Sequence, residues 1–92
     1  MIRSISDGET DRLWRTGKSR RFGAIARIAL RKLDQIDASV AIDDLRAPPG
    51  NRLEKLKGDR AAQWSIRIND QWRICFRWQD GDAWDVEIVD YH

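Results

Sequence analysis

From Arg52 onward, apolar residues recur at every second position, and this alternation is the strongest constraint on the fold. A period of two predicts β-strands that bury one face. Two turn sequences, Asn69-Asp70-Gln71 and Asp80-Gly81, separate three alternating runs and predict an antiparallel meander. Trp64, Ile66, Ile68, Trp72, Ile74, Phe76, Trp78, Trp84, Val86 and Ile88 are the predicted core positions of these strands. A shorter strand, flanked by Leu53 and Leu56, precedes them and ends at Gly58-Asp59.

The N-terminal half follows a helical period instead. Met1–Ile5 is predicted to form a first strand, and Ser6 with Glu9 has the spacing of a capping box that starts a two-turn helix ending at Gly17. A second helix is predicted over residues 22–37, after which Pro48-Pro49-Gly50 must leave helix geometry. The apolar stripe of this second helix is formed by Ile25, Ile28, Ala29, Leu33 and Ile36.

Together these elements predict an α+β fold in the order β-α-α-β-β-β-β. The helical hairpin has one apolar stripe and the meander has one apolar face, so each is the natural cover for the other. A length of 92 residues is that of a single domain, 1–92, with a small core.

Charge is distributed unevenly along the chain, although the formal net charge is only +2. Residues 18–32 carry six Lys and Arg and no acid, residues 52–78 carry seven against three acids, and residues 79–92 carry five acids and no Lys or Arg. Two basic blocks favour a polyanionic partner such as RNA or an acidic protein, whereas a solvated helix face with cross-strand ion pairs explains the same pattern equally well. The predicted RNA-binding residues are Arg20, Arg21, Arg27, Arg31, Arg52, Lys55 and Arg67.

Several classes of protein and site are disfavoured. Cys75 is the only cysteine and lies in an apolar strand, so it is predicted to be a structural thiol and not part of a disulfide framework. No cluster of Cys and His has zinc-ligand spacing, and no metal or cofactor is expected. No apolar run approaches the length of a membrane span and no signal-peptide stretch opens the chain, so a cytoplasmic protein is expected.

Candidate chemistry lies at the last residues, Asp90-Tyr91-His92. Strand alternation predicts Asp90 and His92 on the core side of the last strand, with Tyr91 and the preceding strand's Arg73 on the other side. Histidine titrates near neutral pH and suits proton transfer, and arginine suits a phosphate. RNA cleavage by the ribose 2′-hydroxyl needs a base, an acid and cations, and no metal. A chain-terminal histidine and a strand-end acid without any catalytic role fit the same pattern.

A set of motifs then becomes recognisable. These are Leu56-Lys57-Gly58-Asp59-Arg60, Trp64-Ser65-Ile66-Arg67, Asn69-Asp70-Gln71-Trp72-Arg73-Ile74-Cys75-Phe76 and Val89-Asp90-Tyr91-His92. They resemble the HigB-type toxins of the RelE superfamily, over essentially the whole chain. The opening Met1-Ile2-Arg3-Ser4-Ile5 and the stretch from Pro48 to Glu54 look most like the GraT subgroup.

This resemblance implies a microbial-ribonuclease-like fold and cleavage of mRNA on the ribosome. It implies a HigA-like helix-turn-helix antitoxin as partner, in a heterotetramer that binds operator DNA. By position, Asp90, Tyr91 and His92 match the family's catalytic tail, and Lys57 and Arg73 match its phosphate-facing cations.

The chain departs from the family pattern at Glu54, where the best-known member has a histidine three residues before the lysine. A glutamate can act as a base but supplies no cation at neutral pH. Transition-state stabilisation is then expected to depend on Lys57 and Arg73, and the nuclease is expected to be moderate in activity, as in a mild toxin of the GraT type.

Two further functions fit the sequence. The basic blocks suit a non-catalytic inhibitor that docks on ribosomal RNA and blocks translation or ribosome assembly. They also suit a structural partner that tunes the DNA binding of its antitoxin.

Overall fold

The computed structural model describes residues 1–60 and 62–90, and it is an α+β fold as predicted. Two helices, α1 (Gly8–Thr16) and α2 (Ala26–Ala38), come before a sheet of four strands. The strands are β1 (Glu54–Lys55), β2 (Gln63–Arg67), β3 (Trp72–Gln79) and β4 (Asp82–Asp90). They lie in the order β1-β2-β3-β4, and every neighbouring pair is antiparallel, which confirms the meander and the short strand before it.

Met1–Ile5 runs alongside β4 but pairs with it only at two isolated bridges, Ile2 with Ala83 and Ile5 with Val86. Because these bridges are isolated, Met1–Ile5 is an extended segment that runs parallel to β4 and is not the regular first strand that was predicted. The Arg3 side chain and the N-terminal amine both contact the Asp82 carboxylate, at 3.1 and 3.2 Å, and hold this segment against the start of β4.

The start of α1 differs from the prediction. Asp7, not Ser6, is the N-cap, since its carboxylate accepts a hydrogen bond from the Thr10 backbone N–H at 3.0 Å. The carboxylate of Glu9 instead accepts a hydrogen bond from the Ser19 hydroxyl at 2.8 Å, which joins α1 to the segment before α2. Gly17 ends the helix with a left-handed backbone (φ 77°), as predicted.

α2 turns its apolar stripe towards the sheet, where Ala29, Leu33 and Ile36 are fully buried. Ile28 was predicted to share this stripe, and that prediction is wrong: 40% of it is exposed. At 100° per residue, Ile28 points about 100° away from Ala29. The core between helices and sheet also takes Leu13, Phe22, Ile25, Leu45, Ile66, Ile68, Ile74, Phe76, Ala83, Val86 and Ile88.

A β-bulge in β4 reverses the alternation that the sequence suggested. Cys75 pairs with Glu87, but Arg77 pairs with Trp84, so β4 has one extra residue between these pairs. Asp85 lies at that point with φ 54°. Val86 and Ala83 therefore both reach the core, and Trp84 moves to the opposite face. The prediction that Trp84 belongs to the core is wrong, whereas Trp64, Trp72 and Trp78 do pack against it.

Candidate functional site

The sheet has a second face, turned away from the helices, which we call the outward face. It is defined by three cross-strand rows: Arg67 with Arg73 and Val89; Glu54 with Ser65, Cys75 and Glu87; and Gln63 with Arg77 and Trp84. Side chains on alternate positions of a strand share a face, so these rows lie side by side. Most of the charged residues of the strands are gathered here.

Arg73 is held at two points of its guanidinium group. Its Nε donates a hydrogen bond to the Ser65 hydroxyl at 2.8 Å, and its Nη2 donates to the Arg52 backbone carbonyl at 2.7 Å. Ser65 is fully buried, and Arg52 has a left-handed backbone (φ 45°, ψ 55°) at the end of the turn Pro49–Asn51. A planar guanidinium fixed at two of its nitrogens has a defined orientation.

Ion pairs surround Arg73 on the outward face. Arg60 donates to the Glu87 carboxylate at 3.1 Å and to the Gln63 side chain at 2.9 Å. Arg77 donates to Asp85 at 2.7 Å. The sequence left open a pairing of Arg73 with Glu87, but among the described residues Glu87 forms its ion pair with Arg60.

Cys75 lies beneath these charges and is fully buried. It belongs to the outward face by register and not to the main core. Burial raises the pKa of its thiol, and the nearby Arg60 guanidinium offsets part of that rise. A buried thiol with a raised pKa is a poor nucleophile, in agreement with the structural role expected of it.

Glu54 is the first predicted site residue of β1, where it lies opposite Ser65. It is therefore on the outward face with Arg73. On a regular sheet about 12 Å separates the Cα positions of Glu54 and Arg73, so both side chains can reach the same substrate group, the arginine as a cation and the glutamate as a base. Lys57 follows β1 and is exposed. Lys55 takes the other side of β1, where its Nζ lies 5.6 Å from the centre of the Trp64 ring.

Asp90 ends β4 opposite Trp72, on the side of the sheet that packs against the helices. Its carboxylate accepts a hydrogen bond from the Gln71 side chain at 3.2 Å. The neighbouring pair, Arg73 with Val89, belongs to the outward face, so Asp90 and Arg73 lie on opposite faces of the last two strands. Tyr91 and His92, the other two members of the predicted catalytic tail, lie outside the described residues.

The predicted RNA-binding residues occupy two separate regions. Arg27 and Arg31 lie one turn apart on α2, about 160° around the helix from Ala29, and both line a shallow groove with Leu30. Arg20 is exposed, and Arg21 stacks on the rings of Phe22 and Trp72, at 5.5 and 5.9 Å. Arg52 and Arg67 lie at the sheet, and Arg67 is paired with Asp70.

Sequence reasoning missed the residues that organise the site from beneath. Asn51 is fully buried, and its side-chain amide donates to the Leu45 carbonyl and the Ala47 carbonyl, both at 3.2 Å, and to the Gln35 side chain at 3.0 Å. It also accepts a hydrogen bond from the Lys32 amine. Burial and the charge of the neighbouring Arg31 lower the pKa of Lys32. An asparagine directly after Pro-Pro-Gly looks like an ordinary turn residue, so its burial carried no signal.

In the described parts of the chain, 1–60 and 62–90, none of the helices is long and apolar enough to span a membrane. Within the same residues, no three His, Cys, Asp or Glu side chains come together as a possible metal site.

Comparison with known proteins identifies the family. A sequence model of the HigB-like toxins, described as "RelE-like toxin of type II toxin-antitoxin system HigB", matches residues 4–92. This chain belongs to the HigB-like toxin family. The match covers nearly the whole chain and confirms the resemblance that the motifs carried.

Curated relatives agree with this assignment. Toxin HigB-1 of Vibrio cholerae is 48% identical over 60 residues, which are 65% of this chain and 63% of the relative. Endoribonuclease HigB of Proteus vulgaris is 39% identical over 61 residues, 66% of this chain and 65% of the relative. An uncharacterized protein of Haemophilus influenzae is 41% identical over 57 residues, 62% and 56% of the two chains. The aligned part of the chain thus spans 56 to 65% of the length of these relatives, less than two thirds in each case. The likeness to the GraT subgroup stays a prediction.

Proposed function

We propose that this protein, as one domain, is a ribosome-dependent endoribonuclease that cleaves mRNA by attack of the ribose 2′-hydroxyl, without a metal ion. Membership of the HigB-like toxin family and the likeness to a relative named Endoribonuclease HigB support the proposal. The single structural observation that carries it is the two-point anchoring of Arg73 on the outward face. An oriented guanidinium is one of the groups that stabilise the charge that develops on a phosphoryl group during transfer.

The reaction has three chemical requirements. A base takes the proton of the 2′-hydroxyl, cations stabilise the charge of the phosphorane, and an acid protonates the leaving 5′-oxygen. We assign the cationic role to Arg73 and Lys57. Proton transfer falls to Glu54 on the outward face together with Tyr91 and His92 of the tail, and Asp90, which ends β4 on the other face, would orient His92.

Glu54 sets the expected strength of the enzyme. A glutamate carboxylate can act as a base, but it repels a phosphate. Compared with a family member that has histidine at this position, the chain therefore has one cation fewer in the proposed site. Arg73 then bears more of the transition-state charge. The proposal is therefore of a nuclease of moderate activity.

The proposed partners follow from the family. A HigA-like helix-turn-helix antitoxin would neutralise the toxin in a heterotetramer that binds operator DNA, and the substrate complex is the ribosome with its mRNA. Because translated mRNA is in the cytoplasm, the protein would act there. Arg20, Arg21, Arg27 and Arg31, which lie away from Arg73, would contact ribosomal RNA. Arg52 and Arg67 lie closer to the proposed mRNA site, and Lys55, on the other side of β1, would contact the flanking RNA.

A map of new RNA 5′ ends after induction of the protein in growing cells tests the proposal. We expect cuts within translated codons that leave 2′,3′-cyclic phosphates, and we expect none after Arg73→Ala or after Asp90→Asn combined with His92→Gln. Arg46→Ala is the matched control, because Arg46 is an exposed arginine paired only locally with Asp43. Cleavage that persists in the tail variant would contradict the assignment of the tail.

A second function is favoured by the position of Arg27 and Arg31 on the outer side of α2. A non-catalytic inhibitor that docks on ribosomal RNA through this side would arrest growth without producing new RNA ends. Its toxicity would be lost after Arg27→Ala with Arg31→Ala and would survive Arg73→Ala. The same end-mapping experiment therefore separates the two functions.

A further inference from the structure

We propose that Ser65 is a positioning residue for the cleavage reaction: together with the Arg52 backbone carbonyl, it forms a rigid cradle that aims the guanidinium of Arg73 at the scissile phosphate. This inference rests on the proposed function. It adds a residue of the Trp64-Ser65-Ile66-Arg67 motif to which the function above gives no role.

The first wall of the cradle is the Ser65 hydroxyl. Ser65 is fully buried in β2, between Glu54 on one side and Cys75 on the other. Its oxygen accepts a hydrogen bond from Arg73 Nε at 2.8 Å. A hydroxyl in the middle of a sheet moves little, because the strands on both sides hold its backbone.

The second wall is the carbonyl of Arg52, which accepts from Arg73 Nη2 at 2.7 Å. The backbone of Arg52 is in turn fixed, since its N–H donates to the Pro49 carbonyl at 3.1 Å. Directly before it, the Asn51 side chain ties the loop to α2 through Gln35 and Lys32. The carbonyl is thus anchored to the helical layer rather than to a mobile turn.

The cradle acts on geometry and not on charge. Two acceptors on two different nitrogens of the guanidinium fix both its position and its rotation about the Cδ–Nε bond. A displacement of about 1 Å at a reacting group can cost on the order of 100-fold in rate. Loss of one wall is therefore expected to slow the chemical step while leaving the charge of Arg73, and most of its contribution to RNA binding, in place.

The test compares Ser65→Thr with Ser65→Val, two side chains of the same shape of which only threonine keeps the hydroxyl. Cleavage of mRNA on programmed ribosomes is measured with toxin in excess, which yields the maximal rate and the half-saturating toxin concentration. For Ser65→Val we expect a maximal rate lower by on the order of 10-fold, with a half-saturating concentration within about two-fold of the original. Ser65→Thr is expected to restore most of the rate.

Ser65→Ala, which creates no overpacking, is measured in parallel, with thermal unfolding of each variant as the check on folding. Ser39→Ala is the matched control, because Ser39 is also a buried serine but donates to the Gln35 carbonyl at the end of α2. We expect it to cleave at the original rate.

The outcomes separate this inference from the proposed function. If Arg73→Ala abolishes cleavage and Ser65→Ala or Ser65→Val cleaves at the original rate, the cradle is wrong and the nuclease proposal stands. If Arg73→Ala cleaves normally, the proposed role of Arg73 fails and the cradle fails with it. A change confined to the half-saturating concentration would assign Ser65 to binding and would also overturn the positioning role.

Discussion

The two faces of the sheet are both closed to solvent near its centre, but by different means. On the face towards the helices, Ile66, Ile74 and Ile88 are buried against α2 and the other core side chains. On the outward face, Ser65 and Cys75 are just as inaccessible, yet they lie beneath arginines and carboxylates that pair with one another. One face is closed by apolar packing and the other by an ionic and hydrogen-bonded layer.

Because of this difference, substitutions on the outward face can alter function with little effect on the fold. Apolar burial supplies most of the folding free energy, so substitutions on the helix side lower the free energy of unfolding. Half-exposed ion pairs contribute about 0–1 kcal/mol each, so the outward face contributes less to stability and is suited to contact a polyanion. Neighbouring residues of one strand should therefore respond to mutation in opposite ways.

The largest expected effect is on the activity of Arg73→Ala. Removal of an oriented donor from a phosphoryl-transfer site is expected to lower the maximal cleavage rate about 100- to 1,000-fold. Its stability should fall by only about 1–2 kcal/mol, as expected for the loss of the hydrogen bonds to the Ser65 hydroxyl and the Arg52 carbonyl. Ribosome-dependent cleavage and urea unfolding measure the two quantities. If the free energy of unfolding fell by as much as the activation free energy of cleavage rose, Arg73 would matter equally for folding and for activity. The functional distinction between the two faces would then be wrong.

Ile74→Ala changes the next residue, whose side chain points to the helix face and is fully buried. We expect the free energy of unfolding to fall by about 2–5 kcal/mol, since the truncation leaves a cavity in the core. The fraction that remains folded should cleave at nearly the original rate. Urea unfolding, with the cleavage rate corrected for the folded fraction, checks both statements, and a folded but inactive variant would contradict the second.

Trp84→Phe tests the reversal of β4 by its bulge. The indole N–H of Trp84 is buried and has no hydrogen-bond partner among the described residues, so phenylalanine removes an uncompensated donor. Stability is expected to stay level or rise by about 1 kcal/mol. Trp72→Phe is the control and should destabilise, because the Trp72 ring packs edge-on against Phe22 at 5.3 Å. The thermal unfolding midpoints of the two variants are compared. An equal fall in both midpoints would indicate that Trp84 packs in the core as Trp72 does.

The smallest effect concerns the accessibility of Cys75. Burial raises its pKa, so at pH 8 less of the thiol is ionised than in the unfolded chain, and alkylation by iodoacetamide should be much slower in the native protein. Glu87→Ala removes a partner of Arg60 from the layer above and should speed the reaction modestly. Mass spectrometry of timed samples follows the labelling, with urea-unfolded protein as the reference. Fast labelling of the native chain would show that the outward face is open.

The alternation of β2 and β3 was enough to predict the helix-facing side, as Ile66, Ile74 and Phe76 show. The Asp80-Gly81 turn was predictable for the same kind of reason, since both residues tolerate positive φ. The bulge at Asp85 was not, because an extra residue in one strand depends on what its partner strand requires. Trp84 fits the alternating pattern of β4, but the bulge places its side chain on the outward face and not in the core.

For the site, sequence alone singled out Arg73 and Glu54, which the register does bring to the same face. It did not find Ser65 as the acceptor for Arg73, or Asn51 as the anchor of the loop behind it. Both are small polar residues that are commonly exposed, and their burial arises only when separate segments of the chain pack together. Asp90 was correctly predicted on the helix side of β4, opposite Trp72.

The fold class, the three-stranded meander and the family were all predictable from the sequence, because hydrophobic period, turn residues and motif residues are local features of the chain. The orientation of Arg73, the face occupied by Trp84 and the burial of Asn51 became apparent from the three-dimensional structure. Each of these depends on a partner in another element of the fold: Ser65 and Arg52 for Arg73, a register shift against β3 for Trp84, and α2 for Asn51. Contacts of that kind are set by packing, which no local pattern records.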